Sequence, residues 1–212
     1  MKYHVFKHLH TINKHRFHVF LNCTKCGFFF QGLIHDLSKY SFKEFIPSCK
    51  YYQGYASPVF EERFHDGLYS KIAIHHTNRN RHHFEYWVDE FMGDIILIKM
   101  PYKYAVEYVC DVIAASQVYN NKKYTTNLPY DFFSSRCDHY LMHPMTKEFV
   151  KELLLSYSKD SFRALKKKKT KLIYSILDKN YSDTVRIDFY SKLNTFEGKE
   201  LPKNRVKDPS KY

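Results

Sequence analysis

Glycine and proline are scarce, six and seven in 212 residues, and no apolar run with a period of two stands out. Both deficits weigh against a sheet-rich protein, so helix is the expected element. No stretch approaches the ~18 consecutive apolar residues of a membrane span, and no membrane partner is expected. The N-terminus, Met1-Lys2-Tyr3-His4-Val5-Phe6-Lys7-His8, lacks the continuous apolar segment of a signal peptide, so a cytoplasmic location is the expectation. Cysteines are few and odd in number: Cys23, Cys26, Cys49, Cys110 and Cys137. Reduced, buried thiols follow, rather than a disulfide framework. Cys23-Thr24-Lys25-Cys26 spells C-x-x-C, but no second such pair accompanies it and it lies in a helical pattern, so a structural role is expected.

What is plentiful is apolar and aromatic: 44% of the residues are hydrophobic, and 19 Tyr and 18 Phe are present. That composition builds a core and excludes a disordered chain, and the length suits one core rather than two. The expected class is all-α, a compact helical bundle with a basic C-terminal extension. The net charge of +12 suggests nucleic acid until its distribution is considered. From Lys159 onward there are 15 Lys and Arg against seven Asp and Glu, a net of +8, which leaves +4 for the rest. The body, residues 1–157, is nearly balanced, and the excess belongs to an extension over residues 158–212.

Val5, Leu9, Ile12, Val19 and Cys23 recur at helical steps and predict a first helix over residues 2–26, with Gly27 as its stop. On that helix His15 lies about 60° from Ile12 and His8 about 40° to the same side, whereas His10 and His18 point away. Residues 28–40 read as a second, mainly apolar helix carrying His35-Asp36. An imidazole beside a carboxylate in an apolar setting is costly without a compensating charge, which a divalent cation would supply. Ser41-Phe42-Lys43-Glu44 has the spacing of a capping box and predicts a third helix to about Gln53. After a break at 54–58, residues 59–67 read as a loop or short irregular helix. Leu68, Ile72 and His75 then share a stripe that aims His75 inward and leaves His76 on a neighbouring line. His75, His76, His82 and His83 put four of the 13 histidines within nine residues. From Met100-Pro101 a helix runs to about Tyr119, apolar on two sides and therefore central; its second face carries Glu107 and Asp111. Asp111, beside small alanines, needs an Arg, a Lys or a cation as partner. Two further helices are expected near 129–138 and 144–157, with His139 and His143 as surface residues between them. A basic amphipathic helix should follow the Lys166, Lys167, Lys168, Lys169 run, with a loose tail from about Asn194.

A histidine, a His-Asp pair, further histidines and a late aspartate form the order H…HD…H…H…D, which resembles the ligand pattern of the HD-domain superfamily of metal-dependent phosphohydrolases. His15, His35-Asp36, His75 or His76, His82 or His83, and Asp111 fill it, with His10 and His18 in reserve for the leading ligand. Local strings, among them Gln31-Gly32-Leu33-Ile34-His35-Asp36-Leu37-Ser38-Lys39-Tyr40 and His82-His83-Phe84-Glu85-Tyr86-Trp87, are similar to a small family of bacterial and phage proteins classed only as a domain of unknown function. Leu37-Ser38-Lys39 stands where many HD domains have Ile-Gly-Lys. The resemblance covers residues 4–157 and implies one or two divalent transition ions (Mn, Fe, Co, Ni or Zn). His15, His35, Asp36 and Asp111 would hold one, and the histidines of 75–83 would hold or approach a second. Water activated by the metal would attack a phosphoester in a nucleotide or other phosphorylated small molecule. Asp36 would be ligand and general base, Lys39, Arg79 and Arg81 would face the phosphoryl charge, and Glu85 would steady a ligand imidazole. Two other functions fit the same residues. One is a di-iron oxygenase on this scaffold. The other is a non-enzymatic binding module for nucleic acid or protein, with a structural metal site and weak phosphate contacts from Lys166 to Lys169.

Overall fold

A computed structural model describes residues 3–188 of the chain. The fold is mostly helical, as the composition predicts, with one small antiparallel sheet that the sequence did not announce. Helix α1 (Val5–Lys25) buries His8, Ile12, His15, Val19, Asn22 and Cys23, a single stripe at steps of three and four. Three short helices follow: α2 (Phe29–Ile34), α3 (Phe42–Lys50) and α4 (Pro58–His65). Helix α5 (Lys71–Thr77) is capped by Ser70, whose Oγ accepts from the Ala73 amide at 2.9 Å and donates to buried Glu62. Helix α6 (Tyr102–Asn120) is the centre. It buries Ala105 to Cys110 and Val112 to Ala114, and packs against α1, α7 (Leu128–Ser134), α8 (Pro144–Asp160) and α9 (Lys167–Asp178).

The sheet orders β1 (Val88–Phe91), β2 (Asp94–Ile98) and β3 (Thr184–Asp188), all antiparallel. Met92 and Gly93 both have positive φ, 52° and 84°, the requirement of the tight hairpin turn that matches the twist of its strands. Strand β3 fastens the C-terminal region to the body, helped by Lys99, whose Nζ lies 2.6 Å from Asp178 and 2.9 Å from Asp183. Helix α8 runs through residue 157, and Leu165 and Thr170 are buried beyond it. The basic amphipathic helix takes form as α9, its Tyr174 hydroxyl donating to the Met100 carbonyl at 2.7 Å. The loose tail expected from Asn194 lies outside the described residues.

Two local expectations give way. His143 is buried: its Nδ1 accepts from the Met145 amide at 3.1 Å and caps α8. Ser41 precedes α3, but its side chain makes no capping bond, because Glu44 turns into the interior instead of back to the helix end. All five cysteines are buried free thiols. Among the described residues no helix is long and apolar enough to cross a membrane.

Candidate metal centre

The stretch that positions the site is the break after α2. A continuous helix over 28–40 would set His35 and Asp36 about 100° apart, with one of them turned outward. Instead α2 stops at Ile34, His35 is extended (φ −52°, ψ 133°) and Asp36 is left-handed (φ 53°, ψ 31°), a conformation that Asp tolerates better than most residues. Both side chains therefore enter the interior, while Ile34 and Leu37 stay outside. Arg16 holds the break: its Nε donates to the His35 carbonyl at 2.8 Å and its Nη2 to the Leu33 carbonyl at 3.0 Å. Gly32 lets α2 approach α1, since a Cβ there would lie 2.8 Å from Cys23 Cβ and 2.9 Å from Phe20 Cα.

Asp36 is shared between two sets of side chains. Its Oδ2 lies 3.2 Å from His35 Nε2 and 3.9 Å from His15 Nε2, and His15 Nε2 is 2.9 Å from Asp111 Oδ1. Its Oδ1 lies 3.3 Å from His76 Nε2 and 3.4 Å from His82 Nε2. Two four-residue groups thus offer mutually close ligand atoms: His15, His35, Asp36 and Asp111 in one, and Asp36, His76, His82 and His83 in the other. Apart from the 3.9 Å between Asp36 and His15, these separations are close to the edges of a coordination shell, about 3.0–3.4 Å for bonds near 2.1 Å.

Two glutamates aim these imidazoles. Glu107 Oε1 accepts from His35 Nδ1 at 2.9 Å and lies 3.3 Å from His82 Nδ1, while its Oε2 accepts from Gln31 at 2.9 Å. Glu44 reaches His76 Nδ1 and His75 Nδ1, each at 2.8 Å. With Nδ1 occupied, His35, His76 and His82 turn Nε2 toward Asp36, the arrangement in which a carboxylate fixes the tautomer of a metal-binding histidine. Glu107 with His35 and His82 also forms a third close group.

The decisive feature is what these atoms fail to do. His35 Nε2, His82 Nε2, His83 Nε2 and Asp36 Oδ1 are buried and make no hydrogen bond of good geometry among the described residues; His15 Nε2 and Asp36 Oδ2 are buried too, with Asp111 Oδ1 and Lys39 Nζ as their near neighbours. Within each group the ligand atoms lie within 4.8 Å of one another. Each such atom left without a partner costs on the order of 1–3 kcal/mol, a cost that a bound cation, or protons on His35 and His76 facing Asp36, would offset. Lys39 meets part of that need: its Nζ sits 2.6 Å from Asp36 Oδ2 as an ion pair. The donor set of imidazole nitrogens and carboxylate oxygens fits a divalent first-row ion.

The charges of the cluster are coupled: against the cost of burial, Asp36, Asp111 and Glu107 raise His35 well above the usual imidazole range. Burial opposes ionisation of Asp36, but His35, Lys39 and His76 outweigh it and hold its carboxyl well below the usual range. Burial likewise works against the charged form of His76, yet Asp36 and Glu44 raise it to about 9. Glu107, despite burial, is drawn down to about 2 by His35 and His82. His15 goes the other way: burial and then Lys39 lower it, so it stands neutral.

A family model, DUF5662, described as a family of unknown function, matches residues 4–156. The chain belongs to DUF5662. Neither the search of curated proteins nor that of solved structures found a match. In this DUF5662 chain the expected residues fall into clear places. His76 and His82 of the two histidine pairs face Asp36, and His83 joins them; His75 instead pairs with Glu44 at the edge of the cluster. His10 is exposed and His18 half-buried, neither in a group. Lys39 reaches Asp36 from a 3₁₀ turn (Leu37–Tyr40), three residues along, rather than from one face of a helix shared with His35. The two arginines lie outside the groups: Arg79 donates to the His75 carbonyl at 3.4 Å and Arg81 to the Tyr104 hydroxyl at 3.3 Å. Glu85 stands 3.8 Å from His83 Nδ1, a looser contact than those of Glu44 and Glu107. Those two glutamates are the site residues that the sequence pattern missed. Glu107, one helical turn before Asp111, carried the signal; Glu44 was hidden by its capping-box spacing.

Proposed function

We propose that this protein is a metal-dependent phosphohydrolase of the HD type, acting on a phosphoester of a nucleotide or another phosphorylated small molecule. The observation that carries the reading is Asp36, a buried carboxylate whose two oxygens face two different histidine sets, in the chain order H…HD…H…H…D. A divalent ion held there supplies Lewis acidity and lowers the pKa of water near neutral pH. His15, His35, Asp36 and Asp111 would hold one ion, and His76, His82 and His83 with Asp36 a second. Asp36 would join the two sets as a shared ligand and, beside the bound water, serve as its general base. Lys39 is half-buried and already paired with a carboxylate oxygen, which suits it to meet a phosphoryl oxygen at the same spot. Arg79 and Arg81, exposed beside the histidine segment, would meet the phosphoryl charge from outside the two sets.

Metal content of the purified protein and of His35→Ala, Asp36→Ala and Asp111→Ala tests the site; full metal in all three variants refutes it. Turnover of nucleotides, cyclic nucleotides and generic phosphodiesters with Mn²⁺, Co²⁺ or Ni²⁺ tests the chemistry. Iron-dependent O₂ uptake without hydrolysis of any phosphoester would replace the hydrolase with the oxygenase.

A further inference from the structure

The first 60 residues carry eight Lys and Arg but only two acidic residues, Asp36 and Glu44. Both acids are buried in the metal centre, so no carboxylate of this segment reaches the surface. The same surface exposes large apolar side chains. Phe30 is 78% exposed, Ile34 62% and Phe17 59%, with Leu33 and Leu37 also outside. They form one face. Phe20 and Phe29 meet edge to face at 5.2 Å, as do Phe29 and Phe30 at 5.4 Å, and Phe17, Phe20, Leu33, Tyr40 and Arg16 line one depression between α1 and α2. Helix α2 is the unusual part: of its six residues only Gly32 is buried. A helix that hides so little apolar surface gains little from folding against the body, so its outward Phe, Leu and Ile need another reason.

We propose that this face of α1 and α2 docks on an anionic phospholipid surface, with Phe17, Phe30, Leu33 and Ile34 entering the interface. Arg16 lines the depression itself and Lys14 stands on the same helix three residues before Phe17; aromatic and aliphatic side chains beside cations, with no surface carboxylate in the segment, are what an interfacial element on an anionic headgroup layer requires. The charge pattern also selects against the other occupants. A second copy placed across a two-fold axis would set cation against cation with no acid to answer. A nucleic acid would stack bases on Phe17 and Phe30 but leave Leu33 and Ile34 without a partner. Lying on a surface is distinct from spanning it, so the missing span does not bear on this assignment.

Flotation of the full chain with vesicles of phosphatidylcholine alone, and of phosphatidylcholine and phosphatidylglycerol in equal amounts, tests it. Association with the anionic vesicles that falls as salt rises is expected. The double variant Phe30→Glu, Ile34→Glu should lose about tenfold or more of that partitioning. Leu172→Glu, at an exposed apolar position on α9, should keep it. Bound metal and circular dichroism of the double variant report whether it remains folded; should it not, Phe30→Ser alone takes its place and should bind the vesicles more weakly. Equal binding to both vesicle types, or undiminished binding by the folded variant, overturns the assignment. So does wild-type self-association that the variant abolishes while neither binds vesicles.

Discussion

Glu107 offers the sharpest test of the proposed metal centre, because one carboxylate contacts imidazoles of both candidate ligand sets. Glu107→Gln keeps the shape and an oxygen for His35 Nδ1, 2.9 Å away in the parent, while Gln31 can turn its amide to meet the new NH₂. What it removes is the charge, now held ionised down to about 2 by the two imidazoles against the cost of burial. Loss of such a carboxylate partner lowers metal affinity by about 10- to 100-fold, or about 1.4–2.7 kcal/mol per ion. Because Glu107 touches His35 of one set and His82 of the other, both binding steps should weaken together in a calorimetric titration with Mn²⁺ or Zn²⁺. Glu44→Gln touches His76 but not His15 or His35, so it should weaken one step and spare the other. That contrast separates aiming of ligands from general stability, since a merely structural glutamate would lower the melting temperature and leave both affinities of the folded protein alone. Wild-type affinity at both steps in Glu107→Gln would refute the reasoning.

Three other outcomes follow from the same geometry. In Gly32→Ala the gain in helix propensity, about 1 kcal/mol, is opposed by a contact of 2.9 Å to Phe20 Cα, which is backbone and cannot swing aside. Overpacking costs about 1–3 kcal/mol, so chemical denaturation should show a net loss together with weaker metal binding; equal or higher stability would contradict the close approach of α1 and α2. Arg16→Gln removes two charged hydrogen bonds to the carbonyls that end α2; as water can replace part of them, a loss of about 1–2 kcal/mol is expected, and an unchanged midpoint in urea would count against this cap. His8, wedged between Phe45 and Tyr52 with its Nδ1 unpartnered, is lowered to about 4 by burial and then by Lys39. The unfolded chain binds the proton first, so this contribution is complete above about 6.5 and is lost as pH falls toward 4. His8→Phe should flatten the pH dependence of stability across that window, and an identical slope in both proteins would exclude His8 as its source.

How far the sequence could be read depended on whether a side chain's direction followed from a regular helix. Along α1 and α6 it did: the period of 3.6 placed His15 inward and set Asp111 beside alanines on the central helix. At His35-Asp36 the helical wheel failed, because the inward turn of both side chains comes from a left-handed Asp36 that no periodicity encodes. The same limit appears at His75 and His76, where the stripe through Leu68 misled: Leu68 has a φ of 73° and lies outside the helix, so the inward line begins at Ile72 and reaches His76 four residues on. The hairpin of β1 and β2 escaped notice because its turn, Met92-Gly93, lacks the usual Asn or Asp and its second strand is half-buried without clean alternation. Glu44 was concealed for a different reason, since S-x-x-E spacing is satisfied equally by a cap and by chance, and only the presence of His75 and His76 opposite decides which. Residue types at helical spacing thus carry the order of the candidate ligands, while the backbone breaks at 35–36 and 68–70 decide which of those side chains come together. A substitution that let α2 run on as a helix through Asp36 would keep every residue of the H…HD…H…H…D order, turn one ligand outward, and separate the two histidine sets that Asp36 now joins.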